Sequence, residues 1–423
     1  MMNRRRFLNG ACGLGVSTLA TGFAANVASS LYVTKARAGV AGAVDQFIVI
    51  INMPGGWDTT LGTDAWTNPV RAAESDLFIE YRDDEVTRVE GLALGPAMKS
   101  MVPFAKDMSI INGVFLNSSD NGHPASHLYV FSGDPLLKAP SVSIELNHSV
   151  RSGPYGVVVN ESIPLGGRAE TITTIQELLG IQSLDNPINR MRAMLAAIQG
   201  ESDLLTAARI IAGSDAEYNE LVRLIKIESA LGQVSDPAAL KAAFLSGTSS
   251  VAHYSLNTGF DTHSDHPMNH LKQQGDGWEK VAALFALFKA TPFRSTGESL
   301  FDRTTFMISS EFSRTAALNP SKGKDHNPLT NSVVLAGRGV RGGQTVGASK
   351  LVTLAESNIG LSYQIALPFD FATQVPSPPD APSVTTFITP TSIIRTIAEI
   401  SAVDWGAFQS VPKATPFLSS LVR

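Results

Sequence analysis

Six short runs of apolar and β-branched residues constrain this chain more than any other feature: Phe47–Ile51, Met108–Asn112, Val157–Val159, Val251–Leu256, Thr304–Ile308 and Ser332–Leu335. None alternates apolar with polar residues, and near-continuous apolar strands belong to parallel sheets covered on both faces. Between them lie helical periodicities: Trp278, Val281, Ala282, Phe285 and Phe288 recur at three- and four-residue spacing, as do Tyr218, Leu221, Leu224, Ile225 and Leu231. Strands alternating with helices predict an α/β fold, a mostly parallel central sheet sandwiched by helices. The stretch from about 186 to 245 is rich in helix formers and poor in strand signal, and is expected as a helical insertion. Thr391–Ile400 is expected as a final helix opened by a Thr cap after Pro390, and the Pro-rich run from Pro376 to Pro382 as an extended loop.

The first 38 residues have a different character. Arg4-Arg5-x-Phe7-Leu8 precedes an uncharged stretch from Gly10 to Thr34, and Ala36-Arg37-Ala38 closes it with a small-x-small site. That order is the pattern of a twin-arginine (Tat) export signal, expected to be cleaved after Ala38, which places the passenger, residues 39–423, in the periplasm or outside the cell; a retained membrane anchor is the alternative, the uncharged stretch being just long enough to span. The expected partner in export is the Tat translocation machinery, with no stable membrane insertion after cleavage. Removing Arg4, Arg5, Arg6, Lys35 and Arg37, with no acidic residue among the 38, shifts the formal charge from -5 to -10. An acidic passenger has no electrostatic reason to bind nucleic acid. The one cysteine, Cys12, lies inside the signal. Disulfides, thiolate metal sites and a cysteine nucleophile are thereby excluded from the passenger.

Ligands of doubly wound sheets bind beyond the carboxyl ends of strands, and polar clusters follow four of the runs. They are Asn52–Thr60 with Asp58, Asn121–His127 with His123 and Ser126, Gly259–His266 with Asp261, His263 and His266, and Ser309–Thr315 with Glu311 and Arg314, continued by Gly323–His326 with Asp325 and His326. Carboxylates and imidazoles gathered at strand ends are a ligand set for a divalent metal such as Zn, Mn or Fe. Plainer roles exist for individual residues. Asp58 after two glycines can be a turn residue, and Glu311 with Arg314 a surface ion pair. His253, inside an apolar strand, reads as a hydrogen-bonded core histidine, and His270 as solvent-facing on a helix.

Five motifs carry a family resemblance: Pro54-Gly-Gly-Trp-Asp58, Gly259-Phe-Asp-Thr-His263, Ser310-Glu-Phe-Ser-Arg-Thr315, Gly323-Lys-Asp-His326 and Ala336-Gly-Arg-Gly-Val-Arg-Gly-Gly343. Together they resemble the exported bacterial family called "domain of unknown function 1501", in the alkaline phosphatase and sulfatase-like superfamily. The resemblance implies an alkaline phosphatase-like sandwich and a two-metal site, with Zn or Mn as the ions and a small-molecule phosphate or sulfate ester as substrate. It implies Asp58 as a ligand at the end of the first strand, Asp261 with either His263 or His266, Glu311 in place of the superfamily's Asp, and His326 as the last histidine ligand. Phe312 stands where the superfamily has a histidine. Ser132-Gly133 resembles a Thr-Gly pair that follows the nucleophile by about ten residues. Counting back from it puts His123 at the nucleophile position, with Ser126 a helical turn later. Serine attack, histidine attack and water attack all stay open. A non-catalytic envelope protein with a degenerate site is the alternative function, and a serine esterase on Ser126 lacks the Gly-x-Ser-x-Gly elbow.

Overall fold

Each apolar run becomes a strand because helices bury both of its sides. The computed structural model describes residues 46–66, 77–78, 81–116, 122–150, 156–166, 172–174, 222, 236–245, 249–293, 296–358, 360–378 and 384–423. Eight strands form one sheet: β1 (Phe47–Asn52), β2 (Met108–Ile111), β3 (Val157–Val159), β4 (Ile172–Thr174), β5 (Val251–Ser255), β6 (Thr304–Ser309), β7 (Val333–Gly337) and β8 (Gln344–Val346), in the order β8-β2-β7-β6-β1-β5-β3-β4. All pairings are parallel except those of β7, which runs against both β2 and β6. The protein is α/β with a mostly parallel central sheet flanked by helices.

The helices are α1 (His123–Ser132), α2 (Val142–Ser149), α3 (Asp236–Leu245), α4 (His266–Lys289) and α5 (Pro390–Ile400). One sheet face, with Ile48 and Ile50 of β1 and Met307 of β6, packs with Phe131 of α1, Ile144 of α2 and Ile394 and Ile397 of α5. On the other face, Phe306 of β6 meets Phe285 and Phe288 of α4, and Phe47 of β1 meets Phe293. Alternate residues of one strand therefore enter two cores, which is why the strands show no polar alternation.

The chain divides into two compact units, one of residues 44–152, 156–174 and 250–423, which holds the sheet, and one of residues 1–43, 153–155 and 175–249. The second is described chiefly through α3. The expected export signal and most of the expected helical insertion, including the Tyr218–Leu231 periodicity, lie outside the described residues, as does part of the Pro-rich run. Among the described residues no helix is long and apolar enough to cross a membrane.

The last helix begins one residue earlier than expected. Thr389, not Thr391, is its cap, with Pro390 in the first turn and Ser392 completing a capping box. Proline suits that first turn because its missing N–H is one the helix leaves unpaired there. The hydroxyl of Thr391 donates instead to the Gly133 carbonyl at 2.5 Å.

The three central parallel strands end in one row, with Asn52 level with both Ser255 and Ser309. Loops 53–58, 256–265 and 310–315 leave these carboxyl ends side by side, at the edge of the sheet where such folds bind ligands. Two glycines make the first loop possible. Gly55 (φ 108°) and Gly56 (φ 77°) adopt backbone that side chains rarely allow, and a Cβ on them would stand 2.7 Å from the Phe260 backbone nitrogen and 2.3 Å from the Phe312 ring. The three loops are thus in direct contact.

Candidate metal centre

The residues expected at strand ends separate into two groups. The outer one gathers round Oδ1 of Asp261. His263 Nε2 lies 3.0 Å from that oxygen, His123 Nε2 3.3 Å and His326 Nε2 3.5 Å, and Arg314 Nη2 donates to it at 2.6 Å. His263 Nε2 and His326 Nε2 are 2.9 Å apart. His123, Asp261 and His326 can each direct one ligand atom to a common point, these atoms lying within 4.8 Å of one another. Ligands of a tetrahedral zinc at bonds of ~2.0–2.1 Å stand about 3.3 Å apart, so the spacing suits a metal of that size. The group is open to solvent, the Asp261 side chain being 50% exposed and that of His263 46%.

Two of the imidazoles are held for this task by carboxylates on their far side. His123, in the first turn of α1, has Nδ1 2.6 Å from Glu311 Oε1, and His263 Nδ1 lies 3.0 Å from Asp325 Oδ1. A carboxylate accepting from Nδ1–H fixes the tautomer whose Nε2 carries a lone pair, as in metal-bound histidines. His123 Nε2 is buried and faces Asp261 Oδ1 at 3.3 Å, the separation of two ligands that share an ion. The donor set, three imidazoles and a carboxylate, fits a divalent ion.

Electrostatics agree with that assignment. The Glu311 hydrogen bond raises the pKa of His123, outweighing burial. Burial pushes the Asp261 carboxyl up, but the hydrogen bond and charge of Arg314 overcome it and hold it down at about 2. Burial also opposes ionisation of Glu311, yet His123, the Gly55 N–H and the Ser310 hydroxyl hold its carboxyl below the usual range. Both Glu311 oxygens are spent on these protein partners, so Glu311 acts on His123 rather than facing the common point. Glu311 and Arg314 are not a surface pair: both are buried.

Arg314 is committed in the same way. Its guanidinium donates to the carbonyls of Gly55, Gly56 and Lys324 and to Asp261, with His263 Nε2 3.5 Å from Nη1. Fully buried, it orients Asp261 and clamps the glycine loop. Phe312, which replaces a histidine of the resembled motif, forms a wall: its ring stacks on His326 at 4.2 Å and contacts His123 at 4.8 Å.

The inner group is closed. Asp58, His266, His270, Gln274 and Lys324 are buried, none more than 1% exposed. Asp58 Oδ1 accepts from the backbone N–H and hydroxyl of Thr60 at 3.0 and 2.6 Å, and Oδ2 pairs with Lys324 Nζ at 2.5 Å. His266 Nε2 stands 3.3 Å from the same Oδ2. Thr262 Oγ1 lies between the Nδ1 atoms of His266 (2.7 Å) and His270 (2.8 Å). Burial lowers the His266 pKa to about 4 and that of His270 well below the usual imidazole range. Burial opposes ionisation of Asp58 too, but Lys324 and His266 more than offset it, leaving the carboxyl far below its ordinary value. Asp58 is an anion between a lysine and neutral histidines.

The structure thus joins Asp261 to His263 and sends His266 to Asp58. Asp325 supports His263. His270, expected to face solvent, is wholly buried, because the first turns of α4 turn a polar face, His266, His270 and Gln274 at four-residue spacing, toward the Asp58 loop. Ser126 is 4% exposed, and its hydroxyl has no partner among the described residues. His253 is the core histidine expected of it, its Nε2 2.8 Å from Glu161. Sequence reasoning passed over Lys324, Gln274 and Thr262. The i, i+4, i+8 recurrence of His266, His270 and Gln274 was the available signal.

Residues 244–362 match the family described as "Protein of unknown function (DUF1501)". The match takes in four of the five motifs that carry the resemblance, all but Pro54–Asp58. No curated protein matches the chain in sequence. Among solved structures, the chain is similar to the lipoteichoic acid synthase LtaP from Listeria monocytogenes, with 8% identity over 92% of this chain and 80% of that one and a TM-score of 0.39. It is also similar to the alkaline phosphatase from the Antarctic bacterium TAB5, with 10% identity over 70% and 92% and a TM-score of 0.31. The PsFucS1 sulfatase from Pseudoalteromonas sp. aligns at 10% identity over 75% and 67%, with a TM-score of 0.31.

Proposed function

We propose that the chain is an exported, metal-dependent hydrolase of phosphate or sulfate esters. The observation that carries the metal site is the convergence of three imidazole Nε2 atoms on Asp261 Oδ1. His123, Asp261 and His326 would hold the ion, with His263 at its solvent side. A divalent ion there supplies Lewis acidity toward an ester oxygen. The protein's own part is positioning: Glu311 and Asp325 keep two Nε2 lone pairs aimed inward, Arg314 keeps Asp261 ionised and in place, and Phe312 walls one side with an apolar ring. Asp261 and His263, half-exposed, leave the group open to solvent. Zn and Mn suit this mixed nitrogen and oxygen set.

The test is metal analysis of the passenger followed by hydrolysis of aryl phosphate and aryl sulfate esters, with and without chelator. Metal-dependent turnover, abolished in Asp261→Ala, supports the reading; metal-free protein with no chelator response rejects it. One observation favours the alternative of a non-catalytic metal-binding envelope protein: Ser126 is buried and Arg314 has its donors committed to the protein, which leaves neither as a free nucleophile or anion clamp. Bound metal without turnover on the ester panel would select it. Export through the Tat machinery is the companion proposal, resting on Arg4-Arg5-x-Phe7-Leu8. An Arg4→Lys/Arg5→Lys variant is expected to stay in the cytoplasm on fractionation.

A further inference from the structure

We infer that the chain binds a single metal ion, and that the ammonium of Lys324 is a built-in cation filling the position beside Asp58 that a second ion would take. This rests on the reading of His123, Asp261 and His326 as a metal site and says what stands next to it.

The inner group has the residue types of a metal site, an aspartate and two histidines, and the family resemblance assigns Asp58 to a metal. Its hydrogen bonds do not fit one. Asp58 Oδ1 is taken by both donors of Thr60, and Oδ2 by Lys324 Nζ at 2.5 Å. The proton positions follow from the carboxylate. Asp58 Oδ2 is an anion 3.3 Å from His266 Nε2, so that nitrogen carries its proton and Nδ1 accepts from the Thr262 hydroxyl. The Thr262 oxygen then accepts from His270 Nδ1–H, and His270 Nε2 keeps its lone pair for the Asp58 N–H at 3.1 Å, which Gln274 Oε1 also accepts at 2.9 Å. Neither imidazole offers a lone pair toward the carboxylate. In this tautomer chain a metal would meet an N–H where it needs a donor atom.

Charge and access point the same way. One buried carboxylate is already neutralised by one buried ammonium, and a divalent ion added to that pair would leave an uncompensated charge in a pocket without solvent. The outer group differs in both respects, since Asp261 and His263 are half-exposed. Lys324 also links the two groups. Its N–H donates to the Thr262 carbonyl at 3.0 Å, its carbonyl accepts from Arg314 at 2.9 Å, and Asp325 and His326 follow it directly. Its ammonium anchors the segment that delivers His326, which is a role a diffusible second ion would otherwise have.

The experiment is metal stoichiometry by plasma mass spectrometry on passenger protein equilibrated with excess Zn2+ or Mn2+ and desalted, with thermal unfolding of each variant. About one ion per chain is expected in the wild type. The same is expected in Asp58→Asn/Lys324→Met, which removes both charges and keeps both shapes, with Tm within a few degrees. No ion is expected in His123→Ala/His326→Ala. Two ions in the wild type, one of them lost in Asp58→Asn/Lys324→Met, would overturn the inference and leave the outer site standing. A single ion retained in His123→Ala/His326→Ala would place it at Asp58 and overturn both. No ion in any protein rejects the outer site itself, and the inference with it.

Discussion

Two groups built from the same residue types, Asp and His gathered at one edge of the sheet, have opposite fates in this protein. The outer one, round Asp261, is half-exposed, with imidazole lone pairs turned inward and carboxylates behind them. The inner one, round Asp58, is sealed, with a lysine against its carboxylate. Residue type alone therefore does not make a metal site. What decides is whether the nitrogen facing the carboxylate carries a proton, and whether the carboxylate already has a cation.

Changes to the inner group should cost stability, and changes to the outer group should cost metal. The largest effect is expected for Lys324→Ala, which strands a buried carboxylate. About 3–5 kcal/mol should be lost in urea unfolding, and a loss below about 1 kcal/mol would show that Asp58 is not buried as an anion. Acidification should come next. His266 titrates at about 4 in the fold, so between its unfolded value of roughly 6.5 and about 4 the unfolded chain binds a proton that the folded chain does not. Its contribution is complete above about pH 6.5 and is lost as pH falls toward 4, by up to about 3 kcal/mol, with His270 acting in the same direction. Chelator-treated protein followed by Tm against pH is the measurement, and His266→Gln should flatten the slope.

A smaller effect is expected for Glu311→Gln, which weakens the hold on His123 without touching the common point. Metal affinity should fall about 10–100-fold by competition titration, with Tm of the metal-free protein changing far less than in Lys324→Ala. An unchanged affinity would mean that Glu311 does not set the His123 tautomer. The smallest is His263→Ala, whose half-exposed side chain should contribute under about 1 kcal/mol to stability. If it destabilised the fold as much as Lys324→Ala does, the contrast between open and sealed groups would fail.

The sheet was legible because burial on both faces leaves an unmistakable pattern, and all six apolar runs are strands. The strand ends were legible too, since parallel strands bring distant clusters to one edge. Their sorting was not. The apolar stripe of α4 from Trp278 to Phe288 reads plainly, but its first turns bury a polar face, and a histidine there looks solvated until the Asp58 loop is in place. Lys324 stayed hidden for a related reason: a lysine between Gly323 and Asp325 looks like surface, and only the fold shows its ammonium against Asp58. Pairings over more than two hundred residues, such as Lys324 with Asp58 and Arg314 with Gly56, leave no local trace.

Whether His123, Asp261 and His326 hold a metal ion is decided by plasma mass spectrometry of the purified protein, residues 39–423, beside its Asp261→Ala variant. About one equivalent of a divalent transition metal in the former and a trace in the latter is the expected result. Equal metal content in the two, or none in either, would contradict it.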